Sequence, residues 1–109
     1  MTLFASNVAR VRAVARAAAV AGREVIVVGR ALERTAEVAR DSCYLDDVPV
    51  FFSPERFNSV SRDKVCVIAT GSQGEPRAAI ARIAQGEHPA ISLASGDRVI
   101  FSSRTIPGN

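Results

Sequence analysis

The stretch KVCVIATGSQGEPRAAIARIA, residues 64–84, contains an apolar run, a polar turn and a helical pattern in that order. The predicted strand over 64–71 ends at a glycine and contains the continuous apolar run VCVIA at 65–69, which is typical of a strand covered on both faces. A helix is predicted over 76–85, with Ala79, Ile80 and Ile83 on its inner face and Gly86 at its end. A buried strand that leads into a helix is the repeating unit of α/β proteins.

The same alternation of helix and strand extends through the rest of the chain. The other predicted elements are a helix over 6–21, a strand over 24–29, a helix over 31–40, a short extended piece over 50–52, a short helix that begins at Pro54 after Ser53, and a strand over 99–102. Such alternation requires crossover connections and hence a mostly parallel sheet. The sequence therefore predicts an α/β fold, a three-layer Rossmann-like domain with helices on both faces of the sheet.

The first two helices have predictable ends and inner faces. Ser6 is the predicted N-cap of the first helix, and Gly22 is the residue that ends it. The residues predicted to face the core are Val8, Val11, Ala15 and Ala18 in the first helix, and Leu32, Thr35, Val38 and Ala39 in the second.

Length and composition favour one domain over 1–109. The chain has 109 residues, of which 48% are hydrophobic, and these leave no room for a second core. Cys43 and Cys66 lack C-x-x-C spacing and are predicted to be buried thiols of a reducing compartment. No apolar stretch approaches the roughly 18 residues of a membrane span, and the start lacks the apolar segment of a secretory signal. We therefore expect a cytoplasmic protein without membrane contact.

The charge of the chain is compatible with a nucleic-acid partner. The net charge is +3, and every basic residue except Lys64 is an arginine. Arginine binds phosphate through two parallel hydrogen bonds and keeps its charge at all physiological pH values. An arginine and alanine bias of the genome explains the same composition equally well, so that charge alone does not establish the partner.

Polar turns follow the predicted strands of the sheet. Gly29 and Arg30 follow the first strand, residues 70–75 follow the second, and residues 103–109 follow the last. Because carboxyl ends of parallel strands share one edge, where helix N-termini and loop amides point into a crevice, we expect a ligand-binding rim there. Aligned N–H groups at helix starts attract phosphate.

Further side chains could contribute to this rim. Ser6 and Asn7 would join it if a further strand precedes Thr2. The arginines expected there are Arg30, Arg77 and Arg104.

Each polar feature also has a simpler explanation. The GSQG turn fits neither G-x-G-x-x-G nor the phosphate loop of NTPases, and an ordinary strand-to-helix loop would contain the same glycines. Glu75 could simply cap a helix. His88, the single histidine, is predicted to be a surface loop residue, so that no catalytic zinc or manganese site can be assembled from this sequence. A serine hydrolase has no support, because a G-x-S-x-G motif is absent.

Four stretches together resemble a known family. They are FASNVARV at 4–11, GREVIVVGRA at 22–31, TGSQGEPRAAIARIA at 70–84 and GDRVIFSSRTIPGN at 96–109. In this order they are similar to the β-CASP domain of the ribonuclease J family, in the metallo-β-lactamase superfamily. The resemblance covers essentially the whole chain, and the spacing of TGSQGEP and IPGN makes it specific.

The resemblance implies a larger enzyme. Members of the family are metal-dependent hydrolases, usually with two zinc ions, that cleave RNA endonucleolytically and also degrade it from the 5′ end. Their metal ligands lie in a metallo-β-lactamase domain with an H-x-H-x-D-H motif, and RNA passes between that domain and the β-CASP domain. The H-x-H-x-D-H motif is absent from the 109 residues. The chain is therefore expected to be a catalytically incompetent piece of a homo-oligomeric ribonuclease, with no cofactor of its own.

The resemblance also implies which residues lie near the RNA. They are Ser6, Asn7, Gly71, Ser72, Gln73, Gly74, Glu75, Arg104 and Asn109. No catalytic or metal-binding residue is expected among the 109. Ala9 departs from the family pattern, because many members carry a histidine after the A-S-N segment.

Two other functions share every composition and periodicity feature of the chain. One is a free-standing Rossmann-like module that binds a nucleotide or phosphate at the same edge without catalysis. The other is a scaffold or dimerisation domain whose polar rim is merely solvated.

Overall fold

A four-stranded sheet separates two layers of helices in the computed structural model, which describes residues 1–104, 106 and 107. The strands are β1 (Thr2–Leu3), β2 (Glu24–Val28), β3 (Val65–Ala69) and β4 (Phe101–Ser102). They lie in the order β2-β3-β1-β4, and each described pairing is parallel. The predicted three-layer Rossmann-like arrangement is confirmed, with a sheet that is entirely parallel within the described residues.

The helices cover both faces of the sheet. They are α1 (Val8–Val20), α2 (Arg30–Asp41) and α3 (Ala79–Ala84), with two 3₁₀ helices at Pro54–Ser59 and Arg62–Lys64. Successive β2 side chains alternate between the faces: Val25 and Val27 pack with α1 and α2, whereas Ile26 and Val28 pack with α3. Each fully buried aliphatic side chain of this kind stabilises the fold by roughly 1.5 to 3 kcal/mol.

The strand β1 was not predicted, although it occupies a central position in the sheet. Thr2 pairs with Ala69 on one side and with Phe101 on the other. The amide of Thr2 donates to the carbonyl of Ile100 at 2.8 Å, and Met1 O accepts from Ala69 N at 2.9 Å. The prediction that Ser6 and Asn7 need a strand before Thr2 was wrong, because Thr2 and Leu3 are that strand.

The helix ends and faces require three corrections. The N-cap of α1 is Asn7 and not Ser6, since Asn7 Oδ1 accepts from Arg10 N at 3.1 Å. In α2 the buried residues are Leu32, Ala36 and Ala39, whereas Val38 is 62% exposed. The helix α3 begins three residues later than predicted, at Ala79.

The two cysteines differ in burial. Cys43 is exposed, so its predicted burial was wrong, and it adopts a left-handed backbone with a φ of 65° just after α2. Cys66 is partly buried in β3, and this burial raises the pKa of its thiol. Cys66 therefore behaves as the packed thiol that its place in an apolar run indicated.

The segment between α2 and β3 is anchored to the sheet and to α2. Phe52 forms a parallel bridge with Ile26, which confirms the predicted extended piece, and the short helix begins at Pro54 as predicted. The guanidinium of Arg40 donates to the carbonyls of Val48 and Pro49 at 3.0 and 3.1 Å, and also to that of Leu45. Three carbonyls on one cation fix the path of this segment.

His88 stabilises the turn that follows α3. Its Nδ1 accepts from the amides of Ala90 and Ile91 at 3.2 and 3.1 Å. Burial, assisted by the charge of Arg82, lowers the pKa of this imidazole. A neutral imidazole is required, because a protonated Nδ1 cannot accept.

Candidate functional site

Four polar segments meet at one edge of the sheet. Because all described strand pairings are parallel, the residues that follow β1, β2, β3 and β4 leave the sheet on the same side. These segments are 4–7, 29–30, 70–78 and the described residues 103, 104, 106 and 107, and we call the edge that they form the carboxyl edge. The predicted convergence of the polar turns at this edge is therefore found for every part of them that the structure describes.

The loop over 70–75 is held by its own hydrogen bonds and by α3. The amide of Gly74 donates to Gly71 O at 3.1 Å, and that of Gln73 donates to Glu75 Oε2 at 3.2 Å. Thr70 anchors the other end: its Oγ1 accepts from Ala79 N at 3.2 Å. Glu75 therefore closes the loop instead of capping α3, and Thr70 satisfies the first amide of that helix.

Two glycines allow the backbone to approach its neighbours closely at this edge. Gly71 has a φ of 113°, and an added Cβ would lie 2.5 Å from Ile80 Cγ2. Gly29 has a φ of 114°, and an added Cβ would lie 2.5 Å from Thr70 Oγ1. Glycine is needed at both positions because L side chains disfavour these angles and no space exists for a methyl group.

Gln73 connects the 70–75 loop to the chain that leaves β4. Its Nε2 donates to Arg104 O at 2.6 Å and to Ser103 Oγ at 3.4 Å. Its Oε1 accepts from Ile106 N at 2.8 Å. The structure thus brings two of the predicted site segments together through one side chain.

The α1 end of the carboxyl edge contributes a residue that the sequence analysis missed. Asn7 uses its side-chain oxygen to cap α1, and Ser6 is exposed beside it. Arg10, in the first turn of α1, donates a hydrogen bond to Ser102 Oγ at the end of β4. The sequence position of Arg10, in the first turn of α1, could have indicated a place at the carboxyl edge. This inference requires that β1 is recognised first, because β1 places this turn at the edge.

Four arginines lie at the carboxyl edge without a carboxylate partner among the residues that the structure describes. They are Arg10, Arg30, Arg77 and Arg104, and all four are exposed. Three arginines elsewhere form close ion pairs: Arg12 with Asp47, Arg56 with Glu24 and Arg62 with Asp97. Such pairing stabilises the charged form of the carboxylate: the hydrogen bond from the Arg12 guanidinium lowers the pKa of Asp47. The carboxyl edge therefore offers positive charge that a phosphate could neutralise.

The described residues do not fit a zinc site. No group of three or more His, Cys, Asp and Glu side chains converges within residues 1–104, 106 and 107. A structural zinc needs four such ligands, and a catalytic zinc needs three. The Nδ1 of His88, the single histidine, is already engaged by two backbone amides.

Comparison with known proteins identifies the family. The family model described as "Ribonuclease J, beta-CASP domain" matches residues 1–109. The chain belongs to the ribonuclease J β-CASP domain family. The β-CASP fold thus supplies both the parallel sheet and the polar loops at its carboxyl edge.

Relatives of this β-CASP domain are similar along its whole length. Ribonuclease J of Sinorhizobium meliloti is 51% identical over 109 residues, which are 100% of this chain and 19% of that protein. Ribonuclease J of Mycolicibacterium smegmatis is 45% identical over 97% of this chain and 19% of its own length. Ribonuclease J2 of Bacillus subtilis is 37% identical over 99% of this chain and 20% of its own length. The chain therefore spans about a fifth of the length of these relatives.

Asn109 lies outside the described residues. Within those residues, the longest helix has 13 residues, and none is long and apolar enough to cross a membrane.

Proposed function

We propose that this β-CASP domain forms one wall of the RNA-binding cleft of a ribonuclease J-like RNA hydrolase. The observation that carries the proposal is the match of residues 1–109 to the β-CASP family, together with relatives named Ribonuclease J at up to 51% identity over the whole chain. The residues that we place along this wall are Ser6, Asn7, Gly71, Ser72, Gln73, Gly74, Glu75, Arg104 and Asn109.

The charge at the carboxyl edge supports an RNA partner. Arg77 and Arg104 follow β3 and β4, and neither forms an ion pair within the described part of the chain. Each arginine that neutralises an RNA phosphate releases a condensed counterion, so that affinity falls as salt rises. The glycine backbone of the 70–75 loop lets a polynucleotide approach closely, because Gly74 has no neighbouring atom within 4 Å of an added Cβ.

Catalysis in this proposal depends on residues outside the 109. Zinc ions, as a pair, would be bound by a metallo-β-lactamase domain of the same chain, because the described β-CASP residues offer no set of three ligands. The domain would therefore bind and orient RNA and contribute no metal ligand. The complete protein would act in the cytoplasm as a homo-oligomer, and the 109 residues alone would be inactive.

RNA binding by the complete protein tests the proposal. Fluorescence anisotropy with labelled single-stranded RNAs of increasing length should show affinity that rises with length and falls with salt. The variants Arg77→Ala and Arg104→Ala should each lower the slope of log K against log salt by about 0.7. Arg98→Ala is the matched control, because this exposed arginine precedes β4 and lies at the opposite edge.

Two results would contradict the proposal. Saturable binding of a free mononucleotide, with no dependence on RNA length, would favour a nucleotide-binding module. Unchanged RNA processing after Ser72→Ala, with an unchanged salt slope after Arg77→Ala and Arg104→Ala, would favour a scaffold with a solvated edge.

A further inference from the structure

The side-chain amide of Gln73 is engaged at both of its ends. Its nitrogen donates to the carbonyl of Arg104 at 2.6 Å, and its oxygen accepts from the amide of Ile106 at 2.8 Å. A primary amide can hold a donor and an acceptor of the main chain at once, and this double contact fixes both position and direction. The polar groups that a free glutamine would present to a ligand are therefore directed to the domain itself.

The two sides of this contact differ in how firmly they are held. The 70–75 loop is anchored to α3, because Thr70 O accepts from Ile80 N at 3.0 Å and Gly71 is buried against Ile80 and Ala78. Among the described residues, the chain after β4 has no comparable anchor: each hydrogen bond made by residues 103, 104, 106 and 107 has Gln73 as its partner. Gln73 is thus the attachment of a weakly held segment to a firmly held loop.

The held segment carries one of the unpaired arginines of the carboxyl edge. Arg104 is exposed, and its guanidinium has no carboxylate partner in the described ranges. Its backbone carbonyl is the group that Gln73 binds most closely. A side chain on a fixed backbone loses less conformational freedom on binding than one on a mobile segment.

We propose that Gln73 is a positioning residue that holds Arg104 at the carboxyl edge for an RNA phosphate and does not itself contact the RNA. This inference rests on the proposed RNA-binding function. It gives Gln73 a role that depends on Arg104, and this dependence makes it testable.

The first measurement concerns the contact alone and uses the complete protein. Hydrogen–deuterium exchange reports the opening of individual backbone amides. In Gln73→Ala the Ile106 amide loses its acceptor and should exchange about fivefold faster, as expected for one hydrogen bond. Gln85→Ala is the matched control, because Gln85 is exposed at the end of α3 and its side chain forms no hydrogen bond with any described residue.

The second measurement is a double-mutant cycle of RNA affinity with Gln73→Ala and Arg104→Ala. Gln73→Ala alone should raise Kd about fivefold, whereas in the Arg104→Ala background it should change Kd less than about twofold.

The outcomes separate this inference from the proposed function. Unchanged exchange at Ile106 in Gln73→Ala would overturn the hold itself. Faster exchange with fully additive effects on Kd would overturn the positioning role, because it would show that Gln73 contacts RNA directly. Faster exchange in a protein that does not bind RNA in any form would overturn the proposed function and the effect on RNA, and would leave the hold of Gln73 on Arg104 and Ile106 confirmed.

Discussion

Substitution of Gly71 by alanine should destabilise the fold far more than the same change at Gly74 in the same loop. Both glycines have positive φ, 113° and 76°, so an alanine at either position costs about 1 to 2 kcal/mol in backbone strain. Only at Gly71 would the new Cβ lie 2.5 Å from Ile80 Cγ2 and 2.8 Å from Ala78 Cβ. Displacing these packed groups adds about 1 to 3 kcal/mol.

The expected totals are therefore about 2 to 5 kcal/mol for Gly71→Ala and about 1 to 2 kcal/mol for Gly74→Ala. Since small domains are stabilised by roughly 5 to 15 kcal/mol, the first loss is a large share of the total. Urea unfolding should show it as a lower midpoint with an unchanged slope. Equal midpoints for the two variants would refute the reasoning, because they would show that Ile80 and Ala78 make room at no cost.

Three further predictions concern single polar contacts. The free energy of unfolding should fall as pH drops below about 6.5, because burial lowers the pKa of His88 in the folded state and protonation therefore favours the unfolded state. An equal slope of unfolding free energy against pH in His88→Ala would contradict this. Arg40→Lys should lower the free energy of unfolding by about 1.5 to 3 kcal/mol in chemical denaturation, because lysine lacks the planar guanidinium that binds three carbonyls. The exposed control Arg34→Lys should lower it little, and equal losses in the two variants would contradict the prediction. The hydrogen bond from Arg12 lowers the pKa of Asp47, so Asp47 stabilises the fold above its usual pKa and loses this contribution as pH falls through the folded value. Asp47→Asn should therefore flatten the acid limb of the curve of unfolding free energy against pH, and an unchanged acid limb would contradict the prediction.

The long buried strands made the architecture predictable from the sequence. The apolar run covers residues 25–28 of β2, after Glu24, and all five residues of β3, and the glycines at 29 and 71 mark where each run ends. The pattern is strong because both faces of these strands are covered, so that no polar residue interrupts it. The place of the polar loops was also predictable, because the carboxyl ends of parallel strands lie at one edge of the sheet.

The short and mutually dependent features were not predictable in the same way. β1 has only two residues, too few for a periodic signal, and its position is fixed by pairing with β3 and β4. The face of α2 was misjudged at Val38 because three core positions of the helix, two of them alanines, suffice without it. The exposed Cys43 follows from a left-handed turn that no apolar pattern encodes.

The sequence predicted which segments form the candidate site, but it did not predict the side-chain contacts between them. The segments at 70–75 and 103–109 were correctly expected at one edge for the part that the structure describes. The engagement of Gln73 with the chain after β4 depends on side-chain geometry across about thirty positions of sequence, and no local rule contains it. Arg10 was overlooked for the related reason that β1 was not recognised.

The central place of β1 has a consequence for how the sheet assembles. Thr2 pairs with Phe101 at the far end of the described chain, and β1 is inserted between β3 and β4. Pairings between such distant positions require large loops to close before any contact rewards them, which slows folding. β2 and β3 can associate first, whereas the two-residue strand must wait for both neighbours. The carboxyl edge is therefore expected to be completed in the last stage of folding, when β1 and β4 come together.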